Sequence, residues 1–153
     1  MTELLAPAGN MEALKAAISN GCDAIYLGMQ KFGARAYSNN FDLESLAEAI
    51  EYAHLRNVKI FVTMNTIVFE DEIEDMKKQM HALNEIGVDG VIVQDLAAFD
   101  YAASNFEDME LIRPMYLIRE EDIKAWRDHN GLRFLQCACK FTEQNALGAL
   151  TGS

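Results

Sequence analysis

Covalent and conformational constraints are scarce in this chain. It has three cysteines, too few to pair completely with one another, so no disulfide framework is expected. Proline occurs twice and tryptophan once, which argues against a proline-rich linker or an aromatic-rich recognition tract. No apolar run approaches the roughly 18 residues that a membrane helix needs. The first ten residues, MTELLAPAGN, hold an acid and no basic, apolar leader, so no secretory signal is expected and the cytoplasm is the default compartment. Basic residues are also short, 13 against 24 acidic ones, for a net charge of −11. Gripping nucleic acid through phosphates requires clustered cations, so nucleic acid is a disfavoured partner on charge alone.

What is present is a folding composition. Half of the 153 residues are hydrophobic and 24% are charged, enough for one ordinary domain or one and a half small ones. The first hundred residues repeat one pattern. Glu3–Ala6 is a short apolar strand, Pro7 to Asn10 a turn, and Met11–Asn20 an amphipathic helix closed by Gly21. Ala24–Gly28 is the second strand and opens into the loop Met29–Phe41. Asp42 then stands as N-cap of the helix Leu43–Arg56, which carries Leu43, Leu46, Ala47, Ile50 and Ala53 on one face. Val58–Met64, the helix Glu70–Ile86, the strand Gly90–Gln94 and a helix from Leu96 continue the series.

Strands without polar–apolar alternation, separated by helices, predict parallel strands buried on both faces. The fold class is therefore α/β. Four β-α units fit half of a (β/α)₈ barrel, a doubly wound sheet being the other arrangement, and a complete barrel needs about 250 residues. The half-barrel leaves an open sheet edge, through which a second copy or another partner is expected to pair. After Ala103 the texture changes. Ser104–Glu110 reads as an acidic linker, Leu111–Ile118 as a strand, Glu120–His129 as a helix with Ile123 and Trp126 inward, and Leu132–Cys137 as a further strand. Residues 1–103 hold 7 basic and 16 acidic groups, the remainder 6 and 8, which suggests a barrel part (1–103) and an appended α/β tail (104–153).

In such arrays the loops after the strand carboxyl ends share a rim where ligands bind. The rim candidates are Asn10, Gly28, Arg35, Asn65, Gln94 and Asp95. Glycines there permit close approach of a ligand or simply make turns. Arg35 is the cation of the second loop, suited to a carboxylate or phosphate. Asp95 is either a general base or the N-cap of the following helix, with the cap favoured. His54, His81 and His129 lie within or near the ends of helices and show no metal-ligand spacing. Cys137-Ala138-Cys139 is half of a soft metal site or a pair of structural thiols.

Three stretches carry a family resemblance. ELLAPAGNMEALKAAISNGCDAIYLGMQKFGARAYSNNF (3–41), EYAHLRNVKIFVTMNTIVFEDEI (51–73) and GVDGVIVQD (87–95) resemble the start of the collagenase-like peptidases, peptidase family U32. They occur in order and cover about two thirds of the chain. The resemblance implies a barrel fold, a cytosolic bacterial protein, and activities ranging from proteolysis to iron–sulfur-assisted hydroxylation of RNA or quinone precursors. The six rim residues match the family's amino-terminal motifs, whereas its cysteine-bearing signature lies downstream. The fragment itself is thus expected to hold no cofactor, to be catalytically incomplete, or to act as a non-catalytic, oligomerising module. NFEDMELIRPMYLIREEDIKAWRDHNGLRFLQCACKFTE (105–143) is similar to the carboxy-terminal part of tRNA 2-thiocytidine synthetase-like ATP pyrophosphatases. That similarity implies a sulfur or metal role for Cys137 or Cys139, although the nucleotide loop S-G-G-x-D-S is missing.

Overall fold

A computed structural model of the 153-residue chain describes residues 2–34, 40–114 and 117–132. Two compact units result, Met1–Pro114 and Met115–Ser153. The first contains five strands, β1 (Leu5–Ala8), β2 (Ala24–Gly28), β3 (Lys59–Met64), β4 (Gly90–Val93) and β5 (Glu110–Ile112). Between them run α1 (Met11–Ser19), α2 (Leu43–His54), α3 (Ile73–Glu85, preceded by a 3₁₀ turn at Glu70–Glu72) and α4 (Leu96–Asn105).

All four strand pairings are parallel and the spatial order is β1-β2-β3-β4-β5. That order separates the two architectures left open by the sequence. Right-handed crossovers taken in one direction place every helix on the same face, as in a barrel wall, whereas a doubly wound sheet reverses direction. The packing agrees. Ile25, Leu27, Ile60, Val62, Met64, Val91 and Val93 form one buried cluster with Leu14 of α1, Leu46 and Ile50 of α2, Met76, Met80 and Leu83 of α3, and Ala98 and Ala102 of α4. The alternate residues Tyr26, Phe61 and Gly90 stand in register with one another on the opposite face. Pro7, which cannot donate to a ladder, is accommodated because β1 is an edge strand.

Three helix-to-strand turns share one construction. Gly21, Asn57 and Gly87 take positive φ (83°, 57° and 82°), and the next residue, Cys22, Val58 or Val88, is buried. Each buried residue's N–H reaches back to the helix, to the carbonyls of Ala17, Ala53 and Leu83 at 3.3, 3.1 and 3.1 Å. A polar residue follows, and in two turns its carboxylate grips the neighbouring strand. Asp23 Oδ2 accepts from Leu4 N–H at 2.7 Å, and Asp89 Oδ2 accepts from Ile60 N–H at 2.7 Å. His54 Nε2, at the end of α2, also lies 2.8 Å from Asp89 Oδ2.

Two expectations are corrected. The stretch 104–110 is not a linker: α4 runs to Asn105, Phe106 and Met109 are buried, and the strand expected over Leu111–Ile118 is Glu110–Ile112, a fifth strand that extends the sheet beyond the four expected units. The acids at 107, 108 and 110 conceal two core side chains. Second, the helix α5 (Glu120–His129) of the other unit forms as expected, but Trp126 is 59% exposed, with Ile123 half-buried. α5 ends as α1–α3 do, with Gly131 at φ 63° and Leu132 N–H on the Arg127 carbonyl at 3.1 Å. The strand expected from Leu132 lies, beyond its first residue, outside the described residues.

Phe61 and Gly90 generate a test of the sheet. A Cβ at Gly90 would meet the Glu110 carbonyl oxygen directly and sit 2.9 Å from Phe61 Cδ1 and Glu110 Cβ. Gly90→Ala is therefore expected to lower stability by about 1–3 kcal/mol, as overpacking does, measured by urea unfolding. Unchanged stability would mean that β4 and β5 do not approach as described.

Candidate functional site

The carboxyl ends of β1, β2 and β3 converge on a cleft of about 450 Å³. Pro7, Ala8 and Gly9 come from the β1–α1 junction, and Tyr26, Leu27 and Gly28 from β2. Gly33, Ala34 and Asn40 come from the long connection after β2, and Thr63 and Asn65 from the end of β3. The parallel register makes this convergence: Gly28 pairs with Thr63, so the two loops that follow leave from adjacent strand ends at the same height.

The polar groups of the cleft are neutral and partly committed. Thr63 donates its hydroxyl proton to the Leu27 carbonyl at 3.1 Å, which leaves its oxygen as an acceptor. Asn40 Nδ2 donates to the Met29 carbonyl at 3.0 Å. Asn65 Oδ1 accepts from Ala34 N–H at 2.9 Å and so ties the loop after β2 to the end of β3. On its outer side the same loop is tied to α3, where Lys31 Nζ lies 3.0 Å from Asp75 Oδ2. The Lys31 ammonium, donating to Asp75, holds that carboxyl below its ordinary range, so the pair is intact above the usual carboxylate range and is lost as acid protonates it. Gly28 contributes space: a Cβ there would be 3.5 Å from Asn40 Oδ1 and Thr63 Oγ1, ordinary contact.

Of the six rim candidates the cleft brings together two, Gly28 and Asn65. Asn10 stands beside it, but its side chain caps α1 by accepting from Ala13 N–H at 2.8 Å. Asp95 is likewise spent as a cap. Its Oδ1 accepts from Ala97 and Ala98 N–H at 2.8 and 3.2 Å, and its Oδ2 lies 3.4 Å from Val68 N. Gln94 is exposed past the end of β4 and is not among the lining residues. Arg35 lies outside the described residues. Sequence reasoning did not single out Tyr26 or Asn40. Tyr26 was detectable in principle as the one polar-tipped residue in an otherwise apolar strand, whereas Asn40 had no local signal.

The described residues do not fit an iron–sulfur centre or a bound metal. No group of three or more His, Cys, Asp or Glu side chains comes together among them, and Cys22 is a buried thiol whose pKa burial raises. Cys137 and Cys139 lie outside the described residues. Among these residues no helix is long and apolar enough to cross a membrane.

The pattern of peptidase family U32 matches residues 9–130. The chain belongs to that family. A tRNA hydroxylation protein P1 of Bacillus subtilis is 41% identical over 125 residues, covering 82% of this chain and 29% of the relative. The uncharacterized protease MJ0090 of Methanocaldococcus jannaschii is 40% identical over 102 residues (67% and 25%), and the 23S rRNA 5-hydroxycytidine C2501 synthase of Escherichia coli is 42% identical over 98 residues (64% and 15%). The chain thus spans less than a third of the length of these curated relatives. The solved U32 peptidase Mk0906 shares the fold at a TM-score of 0.60 and 16% identity, over 74% of this chain and 49% of that one.

The comparisons do not support the sulfur-transferase resemblance of residues 105–143. The U32 pattern continues through residue 130, and the first residues of that stretch build β5 in the same parallel sheet.

Gly28 offers a test of the cleft floor in this U32 protein. Gly28→Ala is expected to leave the melting temperature within about 2 °C, since its Cβ makes ordinary contacts, while shallowing the cleft floor. Thermal unfolding checks this expectation. A large loss of stability would contradict the described floor.

Proposed function

We propose that this chain forms the amino-terminal half of the substrate-binding barrel of an RNA-hydroxylating U32 protein, and that its cleft receives the nucleobase presented for modification. The observation that carries this reading is the chemistry of the cleft lining. Peptide hydrolysis requires a nucleophile or an activated water with a base to accept its proton. The described lining supplies two carboxamides, a threonine hydroxyl, a tyrosine and backbone at Gly9 and Gly28, with no acid, imidazole or thiol. Carboxamides and an aromatic ring are the groups that read and stack an unstacked neutral base.

The reading also accommodates the charge. A chain of net charge −11 is a poor grip for phosphates, so the cations that hold the RNA backbone belong to other parts of the protein. Support comes from a relative that covers 82% of this chain and is named for tRNA hydroxylation, and from the rRNA 5-hydroxycytidine synthase. The redox chemistry is likewise assigned outside the described residues, and on this reading they are catalytically incomplete by themselves.

The test is nucleoside mass spectrometry of tRNA and rRNA from a strain lacking the gene and from the complemented strain. Loss of a hydroxylated pyrimidine, restored by complementation, is the expected outcome. Unchanged RNA, together with cleavage of gelatin or casein by the purified protein, would replace this reading with proteolysis.

A further inference from the structure

Asn65 stands between the cleft and the loop that walls it. Its Oδ1 holds the Ala34 amide across 31 positions of sequence. The loop that ends at Ala34 is not a relaxed one. Phe32 sits at φ 59°, a left-handed conformation that a bulky L-residue keeps only when its surroundings hold it there. Among the described residues, Asn40 Nδ2 holds the Met29 carbonyl at the start of the loop at 3.0 Å, and further restraints act beyond it. Phe32 packs against the core, Lys31 pairs with Asp75, and Asn65 clamps Ala34. The Lys31–Asp75 pair is exposed on both sides and contributes little. Gln79 Nε2 adds only a long contact, 3.5 Å, to the Lys31 carbonyl. At the far end of the loop from Asn40, the described bond that holds Ala34 against the cleft is the one to Asn65.

The same hydrogen bond fixes the orientation of the carboxamide, because an N–H donor selects the oxygen. That leaves Asn65 Nδ2 without a partner among the described residues, on a side chain that lines the cleft. We infer that Asn65 is a positioning and specificity residue with two separable roles. Its oxygen latches the Met29–Ala34 loop in place as the cleft wall. Its amide nitrogen donates to a carbonyl oxygen or ring nitrogen of a neutral planar ligand. The second role rests on the base-binding reading above; the first does not.

Asn65→Asp and Asn65→Ala in the full gene product separate the two roles, since aspartate keeps an acceptor for Ala34 and lacks the donor. Hydrogen exchange of the Ala34 amide reads the latch, and hydroxylated nucleoside in the complemented deletion strain reads the donor. Exchange at Ala34 is expected to rise by about tenfold or more in Asn65→Ala and to stay within about twofold of wild type in Asn65→Asp, in line with the loss of one hydrogen bond. Hydroxylation is expected to fall by about tenfold or more in both. Wild-type exchange in Asn65→Ala overturns the latch. Wild-type hydroxylation in Asn65→Asp overturns the donor role. If the unmutated gene supports no hydroxylation, the base-binding reading fails and the donor role with it, while the exchange result still decides the latch.

Discussion

The helix-to-strand turn is the constraint on which the rest of this structure depends. At Gly21, Asn57 and Gly87 one residue in the left-handed region reverses the chain, the next is driven into the core, and the following strand starts at a defined height. Where the third residue is aspartate, its carboxylate also captures an amide at or just before the start of the neighbouring strand, Leu4 for Asp23 and Ile60 for Asp89. Strand height and strand neighbour are thereby set together. Consecutive parallel pairing follows, and right-handed crossovers then place α1–α4 on one face of the sheet.

This division of faces explains how a chain with so many charges has a cleft with none among its described lining residues. The helices carry the acids outward and give their apolar stripes to Ile25, Leu27, Val62 and Val91. The other face holds Tyr26, Phe61 and Gly90, and its upper end opens where β1, β2 and β3 stop. The lining at that end offers hydroxyl, carboxamide and backbone groups. The charged groups and the neutral cleft lining are therefore separated, as the proposed base-binding reading requires.

Most of the element pattern was legible because it is local. Asp42 announces α2 and does cap it, accepting from Ser45 N–H at 2.8 Å, and the apolar runs of β2 to β4 identify strands buried on both faces. β5 was legible as a strand, but its place in the main sheet was not, because its two supporting core residues, Phe106 and Met109, are embedded in acids and read as a linker. The site was only half legible for a different reason. Asn10 and Asp95 have the right composition for a rim, yet a helix start competes for the same side chains and wins at both places. Gly28 and Asn65 were legible because each directly ends or follows a strand. Asn40 reaches the cleft through tertiary placement, which no spacing encodes.

Parallel pairing in this order is the claim that everything else presupposes, and nuclear Overhauser contacts between backbone protons test it most directly. Parallel register predicts inter-strand amide and Cα proton contacts linking Leu27 with Val62 and Val62 with Val91, each advancing in the same direction along both strands. Short Cα–H to Cα–H contacts that run in opposite directions along β2 and β3 would show antiparallel pairing, and would remove the cleft together with the fold.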